Sequence, residues 1–393
     1  MGKPVRTLFV THAAEFGGSE LSLFEILERL DRNRVNPALA SFSDGPLANA
    51  VKNLGIDVHI VSGAERFVKT RRADFVSYKT FYPVALGAAS AVPGAIELAQ
   101  YAKSQKVDVI YTNSSKAHIL GGIAGRISRA RVVWHFRDIF SNKIIRGFFS
   151  SSSAMLADTI VCNSQATAGQ FDTHRDSRVI YNGLPAEKVI NGRTTEEIRT
   201  ELGISSDAKV IGNVSRLVEI KGIEDLIEAA ALIALDVSDA SFVVAGSPVY
   251  GDMKYVNRLK NFVSSKGLSD RFHFIGHRED IYDVINAFDI YVHTAASPES
   301  FGRTIVEAML LNKVVVASNA GGPSEIVKEG ETGFLFKPGD ANRLADLLIG
   351  LLREPEKPQR MGQEGRRRAL DLFTADRAVE EITRMLEEKK VQH

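Results

Sequence analysis

The chain has 393 residues, enough for two or three domains with sizeable cores, and its 44% apolar and 25% charged residues exclude a disordered or low-complexity protein. A single cysteine, Cys162, excludes an intramolecular disulfide framework, suits a reducing cytosol and reads as a buried small apolar side chain. The net charge of +1 hides an asymmetry: residues 1–190 carry 23 Lys+Arg against 16 Asp+Glu, or +7, and the remainder 26 against 32, or −6, so with no recognised binding module a nucleic-acid partner is not expected.

Residues 5–10 are too few for a signal-peptide core and run at once into polar and glycine residues, so they read as a first strand. Arg6 stands where a myristoylation site requires Ser or Thr. No apolar run approaches the roughly 18 residues needed to span a bilayer. Short apolar runs then alternate with helical patterns, at 7–11, 36–42, 57–61, 107–112, 132–135 and 159–162. After the turn-rich stretch 180–185 they resume at 210–214, 241–245, 271–275, 290–293, 314–317 and 333–336. This βαβ periodicity predicts parallel sheets covered on both faces by helices. Two series imply an α/β chain of two Rossmann-like domains facing across a cleft, with the crossing near 180–185. Residues 374–390 read as a charged amphipathic helix.

Ligands of such sheets bind beyond the carboxyl ends of the strands. Phe16-Gly17-Gly18-Ser19-Glu20 follows the first strand, and Gly17 and Gly18 let backbone approach a ligand closely, although such a turn also serves packing. Arg66, Phe67, Lys69, Arg71, Arg72 and Phe75, with Tyr78, Lys79, Phe81 and Tyr82 after them, interleave basic and aromatic side chains. That composition suits an anionic or lipid-linked acceptor, an anionic membrane surface, or an ordinary solvated region. Asn113 and His118 follow the strand ending at Thr112, and His135, Arg137 and Asp138 end the next one, where a lone histidine is usually structural.

In the second half, Arg216 and Lys221 form a basic pair in a loop that ends at Gly222 and leads into a helix, which suits gripping a diphosphate, although such a pair alone is more often solvated surface. Glu299-Ser300-Phe301-Gly302-Arg303-Thr304-Ile305-Val306-Glu307 sets two carboxylates around a turn that opens another helix. The amides from about Gly302 to Thr304, at the positive end of the peptide dipoles, would hold a diphosphate. Glu307, inside the helix, would accept hydrogen bonds from vicinal ribose hydroxyls, and Glu299, before the turn, would face the sugar; two glutamates at this spacing alone more often mark an amphipathic helix with Glu307 solvated and Glu299 an ordinary loop charge. No Asp-x-Asp pair stands in a setting suited to Mg²⁺ or Mn²⁺, and a helix end with two cations neutralises a leaving diphosphate, so no metal and no other cofactor are expected.

Taken in order, the segments 280–293, 299–307 and 313–317, then Gly321-Gly322-Pro323-Ser324-Glu325 and 333–340, resemble the donor half of the retaining glycosyltransferases of family four, with GT-B architecture. The resemblance covers nearly the whole chain and is most specific over 212–340. It implies an acceptor-binding domain at 1–183, a nucleotide-sugar domain at 184–373 and a helix at 374–393 that crosses back to the first domain. It implies diphosphate contacts from Arg216 and Lys221, and sugar and phosphate contacts from Glu299, Ser300, Phe301, Gly302, Arg303 and Thr304. Gly276 and His277 would lie by the nucleobase, Gly17 and Gly18 near the donor phosphate, and His135 would reach the transferred sugar. Asn113, His118, Arg137 and Asp138 are acceptor-side candidates. The implied reaction is retaining transfer of a hexosyl unit from a nucleotide diphosphate sugar, UDP favoured and GDP an alternative, to a carbohydrate or lipid-linked acceptor. Cell-surface polysaccharide or glycolipid synthesis, in the cytoplasm or at the inner face of the membrane, is the implied setting. A sugar-nucleotide epimerase of the same architecture and a non-catalytic sugar-nucleotide sensor are the alternatives.

Overall fold

The computed structural model describes residues 3–13, 15–64, 82–171, 176–190, 192–248, 251–354 and 356–388, those of 82–90 by backbone alone. The basic-aromatic side chains of 66–82 lie outside the described residues. The chain divides into two compact units, Met1–Gly183 with Ala375–His393, and Leu184–Thr374.

Seven parallel strands form the sheet of the first unit: β1 Val5–Thr11, β2 Val35–Ser41, β3 Asp57–Ile60, β4 Val109–Thr112, β5 Arg131–Phe136, β6 Thr159–Cys162 and β7 Ser177–Val179. Their order is β3-β2-β1-β4-β5-β6-β7. Every residue of β4, β5 and β6 is buried, as expected where helices cover both faces of a parallel sheet. One face buries Phe9, Tyr111 and Val133 under Leu23 and Leu27 of the helix Gly18–Arg29, together with Ile382, Met385 and Leu386. Those last three belong to the helix Ala375–Glu387, so the end of the chain completes the core of the first unit. Arg34 pairs with Glu380 and Glu387 of that helix, each at 2.6 Å. The other face packs Leu8, Val10 and Ile110 in one cluster and Trp134, Phe136 and Phe149 in another. Cys162 sits in the latter, and burial pushes its thiol up to about 12.

Six parallel strands form the second sheet: β8 Lys209–Val214, β9 Ala240–Ala245, β10 Phe272–Gly276, β11 Ile290–His293, β12 Val314–Ser318 and β13 Gly333–Phe336. The order β10-β9-β8-β11-β12-β13 puts a switch point between β8 and β11, as the first sheet does between β1 and β4. The helix Ile223–Asp236 follows β8 and buries Leu226, Ile227 and Ile233 in this unit's core. A capping box of Thr194 and Glu197 starts the helix Thr195–Glu201. β7, three partly exposed residues, is the strand with no counterpart in the periodicity.

Candidate functional site

At the switch point of the second sheet, one side-chain and one backbone hydrogen bond join two loops. Thr294, just past β11, donates its hydroxyl to the Lys221 carbonyl at 2.7 Å, and the Ala296 N–H donates to the Ile220 carbonyl at 3.0 Å. This brings Lys221 Nζ to 2.6 Å from Glu299 Oε2. His293, the last residue of β11, reaches the same oxygen through Nε2 at 3.0 Å. Burial by itself raises the Glu299 pKa, but the adjacent His293 and Lys221 outweigh it and hold the carboxyl well below the usual carboxylate range. Lys221, expected to await a phosphate, is therefore ion-paired with the expected sugar ligand. His293 was absent from the site read in the sequence. Its place at the end of a strand, six residues before Glu299, was the available signal.

Glu299 is held in place by glycine. The Gly322 N–H donates to the Glu299 carbonyl at 2.8 Å, and a Cβ on Gly321 would lie 2.2 Å from that carbonyl oxygen. Immediately after Gly302 the turn becomes the helix Arg303–Leu310, capped by Gly302 at φ 113°, a conformation that favours glycine. The Ile305 N–H donates to the Gly302 carbonyl at 3.1 Å. Phe301 is buried against Phe373, while Ser300, Arg303 and Thr304 remain partly exposed. Glu307 is buried one turn in. Tyr291, fully buried beneath the cluster, has its phenol pKa raised, first by burial and then by the nearby charges of Glu307 and Glu299.

Three loops approach one another at the ends of β8, β9 and β10. The Gly246 N–H donates to the Gly276 carbonyl at 2.7 Å, and a Cβ on Gly246 would lie 1.8 Å from the Ser215 carbonyl oxygen. Gly276 has φ 73°, with His277 exposed after it. Arg216, beside Ser215, is exposed. Glu299, Ser300, Phe301, Gly302, Arg303, Thr304 and Glu307, with Arg216, Lys221, Gly276 and His277, thus all lie along the carboxyl edge of one sheet. A separate cavity of about 280 Å³ opens at the amino edge, between Lys209, Phe288, Ile290, Lys313 and Leu352. There Lys313 Nζ donates to the Asn286 carbonyl at 2.7 Å, and burial lowers its pKa to about 8. Among the described residues no group of three or more His, Cys, Asp and Glu side chains is placed to hold a metal ion.

In the first unit, Gly17 caps the helix Gly18–Arg29, and Asn113 donates through Nδ2 to the Ser19 carbonyl at 3.0 Å. Arg137 Nε donates to Asn113 Oδ1 at 2.8 Å, its NH1 to Asn182 and its NH2 to His135 Nδ1 at 3.2 Å. Asp138, partly exposed, accepts from Ser115 at 3.4 Å. Two of the candidate histidines are buried. His118, 1% exposed, is stacked on Trp134 with ring centroids 5.1 Å apart and bonded to Thr112. His135, also 1% exposed, is the penultimate residue of β5, and its ring lines a cavity with Glu25 and Asn182.

Two Rossmann-like units, the second with a carboxylate, an ammonium and an imidazole gathered at its switch point, define the GT-B architecture. Residues 16–188 match the family model described as Glycosyltransferase Family 4, and residues 194–368 the one described as Glycosyl transferases group 1; the chain belongs to glycosyltransferase family four. Solved structures of similar fold include Anabaena Alr3699/HepE in complex with UDP and glucose, 28% identical, covering 98% of this chain and 100% of that one with a TM-score of 0.82. Curated relatives include N-acetyl-alpha-D-glucosaminyl L-malate synthase of Bacillus anthracis, 26% identical over 52% of each chain. The capsular polysaccharide biosynthesis glycosyltransferase CapM of Staphylococcus aureus is 29% identical, also over 52% of each chain. The chain spans about half the length of the curated relatives it matches.

Proposed function

We propose that this glycosyltransferase moves a hexosyl unit, with retention at the anomeric carbon and without a metal, from a UDP-sugar to a hydroxyl of a growing cell-surface polysaccharide or glycolipid. The observation that carries the reading is the Lys221–Glu299–His293 cluster beside the helix end at Gly302, on the sheet edge where such folds take nucleotides. The preference for UDP is supported by the complex of Alr3699/HepE with UDP and glucose, and the polysaccharide setting by the likeness to CapM.

In this reading Arg216, Lys221 and the amides of Gly302 to Thr304 take up the charge that develops on the leaving diphosphate. Glu307 accepts the ribose hydroxyls. Lys221 and His293 both meet the Glu299 carboxylate at Oε2, and Oε1 accepts a sugar hydroxyl. The bond from the anomeric carbon to the phosphate oxygen breaks, the acceptor oxygen bonds to the same face, and the acceptor proton passes to the departing phosphate. Among the described residues no helix is long and apolar enough to cross a membrane. Work at the cytoplasmic face of the membrane, through the basic-aromatic segment 66–82, belongs to the same proposal.

The test is a thermal-shift titration with UDP-, GDP- and ADP-sugars, followed by turnover of the best donor with and without cell-envelope lipid extract, in EDTA. Stabilisation by a UDP-sugar, acceptor-dependent turnover that survives EDTA, and a retained anomer by NMR are expected. Donor conversion without acceptor would point to an epimerase, and binding without turnover to a sensor. Rescue of an EDTA-inhibited reaction by Mn²⁺ would remove the metal-free step.

A further inference from the structure

His135 sits in a hydrogen-bond chain whose polarity is fixed by chemistry. A guanidinium has only donors, so the Arg137 NH2 at 3.2 Å makes His135 Nδ1 an acceptor. The Tyr111 hydroxyl, on the same nitrogen, must then donate as well. The ring proton is left on Nε2, which is buried and finds no partner among the described residues. The ring lines a cavity with Ser22, Glu25 and Val379 whose space for a water centre is about 10 Å³, room for one water. In the other direction the chain runs from Arg137 Nε to Asn113 Oδ1 at 2.8 Å, and from Asn113 Nδ2 to the Ser19 carbonyl at 3.0 Å. Ser19 lies in the first turn of the helix Gly18–Arg29, next to the glycines of the segment 16–20.

We infer that His135 is a positioning residue rather than a sugar contact: as the Nε2–H tautomer, with one trapped water on Nε2, it holds Arg137, and through Arg137 and Asn113 it fixes the glycine turn 16–20. Burial foremost, and then the charges of Arg137 and His118, keep the ring neutral. A proton on Nδ1 would face the Arg137 N–H and break the chain at its centre. The consequence for ligands, though not the network itself, rests on the transferase reading.

Two substitutions separate the two roles of the ring. His135→Asn keeps an acceptor near the place of Nδ1, whereas His135→Gln keeps a polar atom near that of Nε2. The ¹⁵N spectrum of the full-length protein is expected to show His135 Nδ1 unprotonated and Nε2 protonated. Amide exchange over residues 16–21 is expected to stay as in the wild type for His135→Asn and to rise at least tenfold for His135→Gln. Where the wild type turns over, KM for the donor should remain within about threefold in His135→Asn, with kcat little changed, and rise well beyond that in His135→Gln. Rescue by Gln and failure of Asn, or a protonated Nδ1, would overturn the inference. Absence of turnover in the wild type would count against the transferase reading alone, since the spectrum and the exchange do not depend on it.

Discussion

At Glu299 a largely buried ammonium and an imidazole meet one carboxylate oxygen. The Glu299 side chain is 23% exposed and that of Lys221 14%, so removing the carboxylate strands a largely buried ammonium. Glu299→Gln is expected to cost about 1–3 kcal/mol in urea unfolding at pH 7, less than a fully buried pair because some solvent reaches it. Since the folded pKa is depressed, this contribution is present above the ordinary value of 4.5 and is lost as pH falls through the lower folded value. The gap between wild type and variant should therefore be full at pH 7 and shrink only below pH 4.5. Glu307→Ala removes hydrogen bonds to a charged acceptor, worth about 1.5–3 kcal/mol, so nucleotide affinity by calorimetry should fall about 10- to 100-fold. An unchanged affinity would take Glu307 out of the site. At this scale the sequence was informative where a residue's neighbours along the chain set its place, as at Glu299 and Gly302. It did not show that the His118 and His135 rings are buried, because burial of a ring depends on what packs against it from elsewhere in the chain.

The helix Arg303–Leu310 owes its start to a single backbone conformation. At Gly302, φ is 113° and a Cβ would lie 2.9 Å from the Ile305 side chain, so Gly302→Ala should destabilise by about 1–3 kcal/mol and weaken nucleotide binding together with it. Gly350 is a useful contrast, because it lies within the helix Ala341–Arg353 with nothing near its missing Cβ. Gly350→Ala should raise stability by about 0.5–1 kcal/mol with binding unchanged, as read from the same melts and titrations. The helix Ala375–Glu387 shows a different balance of forces. Its ion pairs to Arg34 are surface contacts worth about 0.2–1 kcal/mol, whereas Ile382 is fully buried. Ile382→Ala should cost about 2–4 kcal/mol in chemical unfolding, and Arg34→Ala much less. The amphipathic pattern of this helix is visible in the chain, but its destination is not, because an apolar stripe does not name the sheet that it covers.

On the scale of the whole molecule, two units with separate cores should not unfold as one. Calorimetry is expected to give an enthalpy larger than the van't Hoff value, with a UDP-sugar raising the transition of the unit Leu184–Thr374; a single two-state transition moved as a whole by the ligand would refute that. The two parallel sheets were legible because fully buried strands must be short apolar runs and their crossovers must be helices, and that constraint acts locally along the chain. The same local logic marked the glycine turns and the helix end at Gly302. The class of fold and the family were thus readable from the chain alone. Folding alone settles that Lys221 and His293 share one oxygen of Glu299, that the last helix closes the first core, and that the His135 ring is buried. Those outcomes depend on which residues distant in the chain are brought within hydrogen-bond reach, and no spacing along the sequence encodes that distance.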